Sequence, residues 1–253
     1  MINSIRNTVL FLLNKDNRGY ISPLEYNHYC KMAQLEIFEG YFTDLARQTQ
    51  LQNTRKRALG HGDMALQVRN KIDVFSTSAT LNYTDVEDVS GTPDPGQAQD
   101  YFTLPANYYK LINITYNGRV LEETPKSKFD MIMHSNLNVP SVTYPVFYRE
   151  GNRIYARPLT INYTAATPQG AEVPLICNYI RKPVDPIWGY ATVNGDPVYN
   201  PSPAVTTNFE ISEVDEVDLI VKICGYAGLA IREADVVTAM SNKEQVQLQT
   251  DNA

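Results

Sequence analysis

The chain has 253 residues, of which 43% are hydrophobic and 20% are charged, a composition that is ordinary for a folded soluble protein. Its formal net charge of −6 argues against a protein that binds DNA through most of its surface. The apolar run from Val9 to Leu13 is too short to span a bilayer and lacks a small-residue cleavage site. We therefore expect neither a membrane helix nor a signal peptide, and no membrane partner.

Residues 1–75 carry the spacing of apolar side chains that is typical of helices. The spacing of Ile2, Ile5, Val9 and Leu12 or Leu13 indicates a short first helix. A long second helix follows Ser22, and its apolar face is marked by Tyr26, Tyr29 or Cys30, Ala33, Ile37, Tyr41 and Leu45. Two glycines interrupt the pattern shortly before Met64, and the rest of this part forms either a third helix or an extended lead into the next region.

The stretch NKDNRGYISPLE admits two interpretations. Asp16, Gly19 and Glu25 fall at the third, sixth and twelfth positions of an EF-hand calcium loop. Calcium binding is disfavoured because Asn14 is neutral at the first position and Arg18 places a cation at the fifth. The same stretch contains Ser-Pro-Leu-Glu, which is a capping box with proline at the first helical position. We predict a turn followed by a capped helix.

From residue 76 the sequence changes character, and all but one of the 15 prolines lie beyond this point. Alternating aromatic and β-branched segments between turn residues predict an antiparallel β module over residues 76–187. The candidate strands are residues 80–82, 101–104, 110–116, 120–123, 146–149, 153–157 and 175–181. Asn117-Gly118 predicts a tight hairpin, residues 150–152 offer a second turn, and residues 126–136 are a candidate short helix.

Residues 188–208 are rich in Gly, Pro, Asn and Tyr, and we predict that they form an extended loop or arm. Segments of this kind often bind partners. Within this arm the candidate partner contacts are the aromatic side chains of Trp188, Tyr190 and Tyr199.

Helical spacing returns in residues 209–253. Ser212 with Asp215 indicates a second capped start. The apolar face that follows is marked by Val217, Ile220, Ile223 or Cys224, Ala227, Ala230 or Ile231, Ala234 and Val237. The polar tail after Met240 extends this helix or forms a partner-dependent arm. The expected fold class is α+β, a helical bundle built from both chain ends with an inserted antiparallel β-sandwich-like module.

Charge is distributed unevenly along the chain. Residues 1–75 hold 10 Lys/Arg and 7 Asp/Glu, a net charge of +3, whereas residues 209–253 hold 3 and 9, a net charge of −6. The basic cluster Arg55, Lys56 and Arg57 is a candidate contact with an acidic protein surface or with nucleic-acid phosphates. The alternative is a solvated helix end, where cations are favoured.

Motifs of catalysis or metal binding are missing from the sequence. His28, His61 and His134 are isolated, and the chain has no Walker loop, no G-x-S-x-G elbow and no G-x-G-x-x-G fingerprint. The three cysteines have no C-x-x-C spacing and predict free buried thiols, made in a reducing compartment. We assign no catalytic, cofactor-binding or metal-binding residues, and we do not expect an enzyme.

Three phrases carry a resemblance to a known family: YPVFYREGNRIYARPLT, LICNYIRKPVDPIW and FEISEVDEVDLIVKICGYAGLAIREADVV. They are similar to the head-to-tail adaptor or ring proteins of short-tailed bacteriophages, most closely those of crAss-like phages. The resemblance runs over nearly the whole chain, although its motifs are structural phrases rather than catalytic signatures.

The resemblance implies a virion protein of the neck, made in the cytoplasm of a bacterial host. Subunits of that family form a ring, usually a dodecamer, beneath the portal protein and above the adjacent ring or tail proteins, and DNA passes through its centre. Catalytic residues and cofactors are not implied. Within such a ring, Glu210, Glu213 and Asp218 are candidate lumen-facing acids that would repel DNA phosphates and limit contact with the genome to non-specific encounters.

Two other classes of function remain open at the level of sequence. The β module could be a non-enzymatic binding module that grips a glycan or a host receptor protein, which predicts an exposed aromatic platform. An enzyme of unrecognised type would need a cleft that joins acids distant in the sequence.

Overall fold

A computed structural model describes residues 1–13, 21–53, 64–84, 100–135, 137–158 and 175–231, together with 238, 241–243, 245 and 246. Within these residues the protein has a mixed α+β fold with helices and largely antiparallel sheets. The chain divides into two compact units. The first unit contains both chain ends, Met1–Val74 and Pro183–Ala253, and the second unit is Phe75–Lys182.

The elements follow in chain order. They are α1 (Ile2–Leu13), α2 (Pro23–Asn53), α3 (Met64–Asp73), β1 (Ser76–Thr80), β2 (Asn82–Thr84), β3 (Tyr101–Thr103), β4 (Tyr108–Tyr116), β5 (Arg119–Val120), β6 (Glu122–Glu123), α4 (Lys126–Met133), β7 (Val146–Glu150), β8 (Arg153–Arg157), β9 (Leu175–Arg181), β10 (Tyr190–Val193), β11 (Asp196–Tyr199), a 3₁₀ turn (Glu213–Asp215) and α5 (Glu216–Ile231).

The helices of the first unit bury the apolar faces that their sequence spacing predicts. The face of α1 contains Ile2, Ile5 and Val9, all fully buried. On α2 the buried positions include Tyr26, Cys30, Ala33, Ile37 and Tyr41. Helix α2 packs against α3 and α5, and α1 packs against α5. Of the two alternatives for the residues after Met64, the helix is the one that forms.

The predicted capping box at the start of α2 is confirmed. The Glu25 backbone N–H donates to Ser22 Oγ at 3.3 Å, and the Ser22 N–H donates to Glu25 Oε2 at 2.9 Å. The Ser22 hydroxyl donates to the same carboxylate at 2.7 Å, and these bonds lower the pKa of Glu25. Glu25 therefore serves the helix end. The other candidate calcium ligands, Asn14 and Asp16, lie outside the described residues.

The predicted capped start before α5 is confirmed at Ser212, whose Oγ accepts from the Val214 N–H at 3.4 Å and whose carbonyl accepts from the Asp215 N–H at 3.0 Å. The Asp215 carboxylate has a different role from the one predicted, because it accepts from Tyr41 and Lys71. Because Asp215 is buried, Leu219, four residues further on, lies on the same buried face. Val217 consequently points away and is 56% exposed, so its assignment to the apolar face was wrong.

Two sheets form the second unit. The four-stranded sheet has the order β1-β9-β4-β5 and is antiparallel. The five-stranded sheet has the order β2-β3-β8-β7-β6, with one parallel pair, β6 and β7. Side chains of both sheets share one buried cluster, namely Leu81, Phe102, Leu104, Ile114, Leu121, Phe147, Ile154, Ala156, Leu175, Cys177 and Tyr179.

Two of the predicted strands are each divided between the two sheets. Residues 80–82 span the break between β1 and β2, and residues 120–123 span the break between β5 and β6. Each break lies at a buried leucine, Leu81 or Leu121, whose backbone N–H bonds to a strand of the four-stranded sheet. The five other predicted strands are present: β8 and β9 have the predicted bounds, and β3, β4 and β7 each differ at one end by one or two residues. The predicted helix forms over Lys126–Met133.

The turns follow the backbone preferences of glycine and asparagine. Asn117 and Gly118 have φ values of 49° and 74°, so the predicted tight hairpin joins β4 to β5. Gly151, with φ of 61°, lies in the turn between β7 and β8. Residues 188–208 contain a further hairpin, β10–β11, whose turn places Asn194 and Gly195 at φ values of 53° and 94°.

Candidate functional site

The hairpin β10–β11, hereafter the hairpin, has two different faces. Tyr190 pairs with Tyr199, and Val193 pairs with Asp196 across the turn. Because side chains alternate along a strand, Tyr190 and Tyr199 share the inner face with Thr192 and Pro197. Ala191, Val193, Asp196 and Val198 form the opposite face, which we call the outer face.

The inner face of the hairpin packs on Trp188, which is only 1% exposed. The rings of Tyr190 and Tyr199 stack on the indole with centroids at 5.8 Å and 5.9 Å. The Arg6 guanidinium carbon lies 3.8 Å from the centre of the Trp188 ring. A desolvated cation–π contact of this kind is worth about 1–2 kcal/mol.

Hydrogen bonds to two helices fix the position of the indole. Trp188 Nε1 donates to Asn3 Oδ1 on α1 at 3.0 Å, and the Trp188 backbone N–H donates to Asn27 Oδ1 on α2 at 2.8 Å. Among the three aromatic residues predicted as partner contacts, Trp188 is therefore an internal anchor, and Tyr199 is half-buried. Tyr190 is 47% exposed and remains available to a partner.

The base of the hairpin has no room for a side chain at Gly189. A Cβ atom there would lie 2.5 Å from the backbone oxygen of Val205. The Gly189 N–H donates to Thr206 Oγ1 at 3.2 Å, and the Asn200 N–H donates to the Gly189 carbonyl at 3.0 Å. The Thr206 hydroxyl donates in turn to the Asn200 carbonyl. The hairpin is thus held rigidly at its base.

The outer face is exposed and apolar. Val193 is 52% exposed, Val198 is 49% exposed, and Ala191 is also exposed. Asp196 is the only charged residue between positions 188 and 208. Contiguous exposed apolar surface and unpaired strand edges are typical of surfaces that bind other proteins.

A second apolar surface lies in the second unit, in residues 137–144, hereafter the apolar loop. Leu137 is 94% exposed, Val139 59%, Val142 44% and Tyr144 78%. The loop has a defined shape, because the Tyr144 N–H donates to the Ser141 carbonyl at 3.0 Å and closes a turn. The sequence analysis missed this surface, although an uncharged run over residues 131–144 marks it.

A cation lies beside the apolar loop. Arg119 is exposed, and its Nη1 donates to the Thr143 carbonyl at 3.3 Å. The strand that follows runs along the end of the loop, since the Glu122 N–H donates to the Pro145 carbonyl at 3.0 Å.

A buried carboxylate holds the helices of the first unit together. Asp215 is 5% exposed and accepts from the Tyr41 hydroxyl at 2.6 Å and from Lys71 Nζ at 2.7 Å. Burial, with the Asp215 carboxylate, raises the pKa of Tyr41. The sequence analysis missed this cluster because its members come from three elements far apart in the chain. It positions α2, α3 and α5 relative to one another.

The three candidate lumen-facing acids occupy different environments. Glu210 is half-buried, and its Oε2 accepts from the Val184 N–H at 2.8 Å, so this carboxylate takes part in the fold. Asp218 is half-buried and Glu213 is exposed. The basic cluster at residues 55–57 lies outside the described residues.

A row of tyrosines crosses three neighbouring strands of the five-stranded sheet. Tyr148 and Tyr155 stack with centroids at 4.8 Å and planes 8° apart, and Tyr101 lies 6.1 Å from Tyr155. Phe129 contacts Tyr148 at 4.6 Å, and the Arg153 guanidinium lies 4.4 Å from the centre of Tyr101. Each of the three tyrosine rings therefore has two neighbours, and all three tyrosines are half-buried.

The described cysteines and histidines do not form a metal site or a cluster of reactive groups. The three cysteines are free and buried, as predicted, and burial raises the pKa of Cys30 to about 12 and those of Cys177 and Cys224 to about 11. His28 and His134 are exposed. Across the part of the chain that the structure describes, no group of three His, Cys, Asp or Glu residues could hold a metal ion.

None of the described helices combines the length and the apolar character needed to cross a membrane. A comparison with models of known protein families finds no match for this chain, and a comparison with curated protein sequences finds none either. The functional argument therefore depends on the geometry above and on the resemblance found in the sequence.

Proposed function

We propose that the chain is a structural protein of the phage virion, without enzymatic activity, that forms a ring in the neck between the portal protein and the tail. In this proposal the two chain ends build a helical bundle, and the second unit is an inserted antiparallel β-sandwich-like module. The genome passes through the lumen of the ring, a dodecamer in the resembled family.

The rigid hairpin with its apolar outer face is the observation that carries this proposal. Its inner face is fixed on Trp188, while Val193 and Val198 are about half exposed on the outer face. A preorganised apolar projection suits protein–protein contact because little conformational entropy is lost on binding. The resemblance to head-to-tail adaptors, which runs over nearly the whole chain, supplies the identity of the partners.

The acidic end of the chain fits a lumen that DNA must pass through without sticking. Residues 209–253 carry a net charge of −6, and Glu213 is exposed at the start of α5. Like charges repel phosphates over about 8–10 Å at physiological ionic strength. Since Glu210 is engaged with the Val184 backbone, Glu213 and Asp218 are the acids that we place at the lumen.

Quantitative mass spectrometry of purified phage particles whose genome encodes this chain tests the proposal. We expect the chain in every particle, at a copy number that matches one ring per portal. A Val198→Asp variant should lower its incorporation, whereas Val184→Asp, a control of nearly equal exposure at 51% against 49%, should not. Absence of the wild-type chain from purified particles would refute the neck function.

A further inference from the structure

Two surfaces of this chain are exposed, apolar and nearly uncharged: the outer face of the hairpin and the apolar loop. We propose that the hairpin of one copy docks on the apolar loop of a second copy, in a head-to-tail contact. This inference rests on the proposed ring and names the two surfaces through which neighbouring copies meet.

Matching apolar character supports this pairing. The hairpin offers Val193 and Val198, and the apolar loop offers Leu137, Val139, Val142 and Tyr144. Burying these side chains against each other removes apolar area from water on both sides at once, which favours association. Neither surface carries a charge that would need to be desolvated at its centre.

The charges at the borders of the two surfaces favour the apolar loop of a second copy as the partner of the hairpin. Asp196 lies at the tip of the hairpin, and Arg119 lies beside the apolar loop with its guanidinium held by the Thr143 carbonyl. A hairpin docked with its tip toward Arg119 brings opposite charges together. Two hairpins docked face to face and parallel would bring two Asp196 carboxylates together, which is unfavourable.

A contact between two different patches of the same chain is heterologous, so it repeats from copy to copy and closes into a ring when the rotation permits. Both patches are also preorganised. Gly189 packs against the Val205 backbone at the base of the hairpin, and the Ser141–Tyr144 turn shapes the loop.

Engineered cysteines test the contact directly, because the three native thiols are buried and their pKa values are raised. In the full chain, Val193→Cys is combined with Val142→Cys and exposed to a mild oxidant or a short bismaleimide. We expect a ladder of covalently joined copies on a denaturing gel. The matched control combines Val193→Cys with Leu24→Cys, at a position that is 68% exposed on α2.

A ladder that is no stronger than in the control would overturn the contact. Dimers formed as readily by Val193→Cys alone would overturn it as well, because they would show that hairpins meet each other.

A charge exchange provides the second measurement. Asp196→Arg should slow formation of the ladder about twofold to fivefold, the effect of one exposed ion pair. Adding Arg119→Asp to that variant should restore the original rate, since the opposite charges then face each other again. If the double variant forms the ladder more slowly than Asp196→Arg alone, the pairing of Asp196 with Arg119 is refuted.

Failure of this contact and failure of the ring give different results. If the wild-type chain is counted in particles but the cysteine pair gives no ladder, the ring stands and this contact is wrong. If the ladder forms but the chain is missing from particles, self-association stands and the neck function is refuted.

Discussion

Replacing Arg6 with alanine isolates the contact that fixes the hairpin. The Arg6 guanidinium covers the Trp188 ring at 3.8 Å, and Arg6 is only 9% exposed, so the contact is largely desolvated. We expect Arg6→Ala to lower the free energy of unfolding by about 1–2 kcal/mol. With a urea dependence of about 1–3 kcal/mol/M, the unfolding midpoint should fall by about 0.3–2 M.

The assay uses the single tryptophan of the chain, which is excited at a wavelength that the 17 tyrosines do not absorb, so its fluorescence reports on the base of the hairpin. In addition to the lower midpoint, Arg6→Ala should shift the emission to longer wavelength and increase quenching by iodide, because the indole gains access to water. Arg69→Ala, which removes an exposed arginine from α3, is the control. Unchanged emission and quenching in Arg6→Ala, with a midpoint equal to that of the control, would refute the anchoring role of this contact.

Three further predictions follow from the described contacts. Ser22→Ala should destabilise α2 by about 0.5–2 kcal/mol in urea unfolding at pH 7. Because the cap lowers the pKa of Glu25, its contribution is complete above the unfolded-state pKa and is lost as pH falls through the folded-state pKa, so the same variant should cost less in acid. The native thiols should resist a thiol reagent at pH 8 until urea unfolds the chain, and labelling of the folded protein would contradict their burial. Asp215→Ala should cost about 2–4 kcal/mol in urea unfolding, because it leaves the Lys71 ammonium and the buried Tyr41 hydroxyl without their acceptor. A loss below about 1 kcal/mol would contradict this.

The helices could be predicted because helix capping and helical spacing depend on residues that are close together in the sequence. The Ser22–Glu25 cap lies within four consecutive residues, and the buried face of α2 follows from helical spacing alone. The turn at Asn117-Gly118 is similar, since few residues besides glycine and asparagine accept positive φ.

Long-range contacts explain most of what the sequence did not predict. Asp215 was assigned to a cap, but its partners lie 174 and 144 positions away in the chain. Asp215 lies on the buried face that continues at Leu219, whereas Val217 is exposed. Likewise, Leu81 and Leu121 divide two predicted strands because each leucine enters a core shared by two sheets.

The hairpin was missed for a different reason. Its Val-Asn-Gly-Asp turn carries the same signal as the turn at Asn117-Gly118, but the surrounding prolines and glycines indicated a loop. An isolated two-stranded hairpin is marginally stable in water, so strands this short form only where something covers one face. Trp188 supplies that cover, and its role is visible only when Asn3 and Asn27 are placed beside it.

The dependence of the hairpin on Trp188 links its stability to partner binding. A partner on the outer face binds only hairpins that are packed on the Trp188 indole. Its apparent affinity is therefore the intrinsic affinity multiplied by the fraction of hairpins that are packed. Arg6 is buried against Trp188, beneath the inner face of the hairpin. Arg6→Ala should therefore weaken cross-linking of Val193→Cys with Val142→Cys only if it leaves a substantial fraction of hairpins undocked. Because a loss of about 1–2 kcal/mol changes that equilibrium by about fivefold to thirtyfold, the fluorescence and cross-linking of the same variant must change together. An unchanged ladder in a variant whose Tyr190 and Tyr199 rings no longer stack on Trp188 would show that the partner does not bind the docked hairpin.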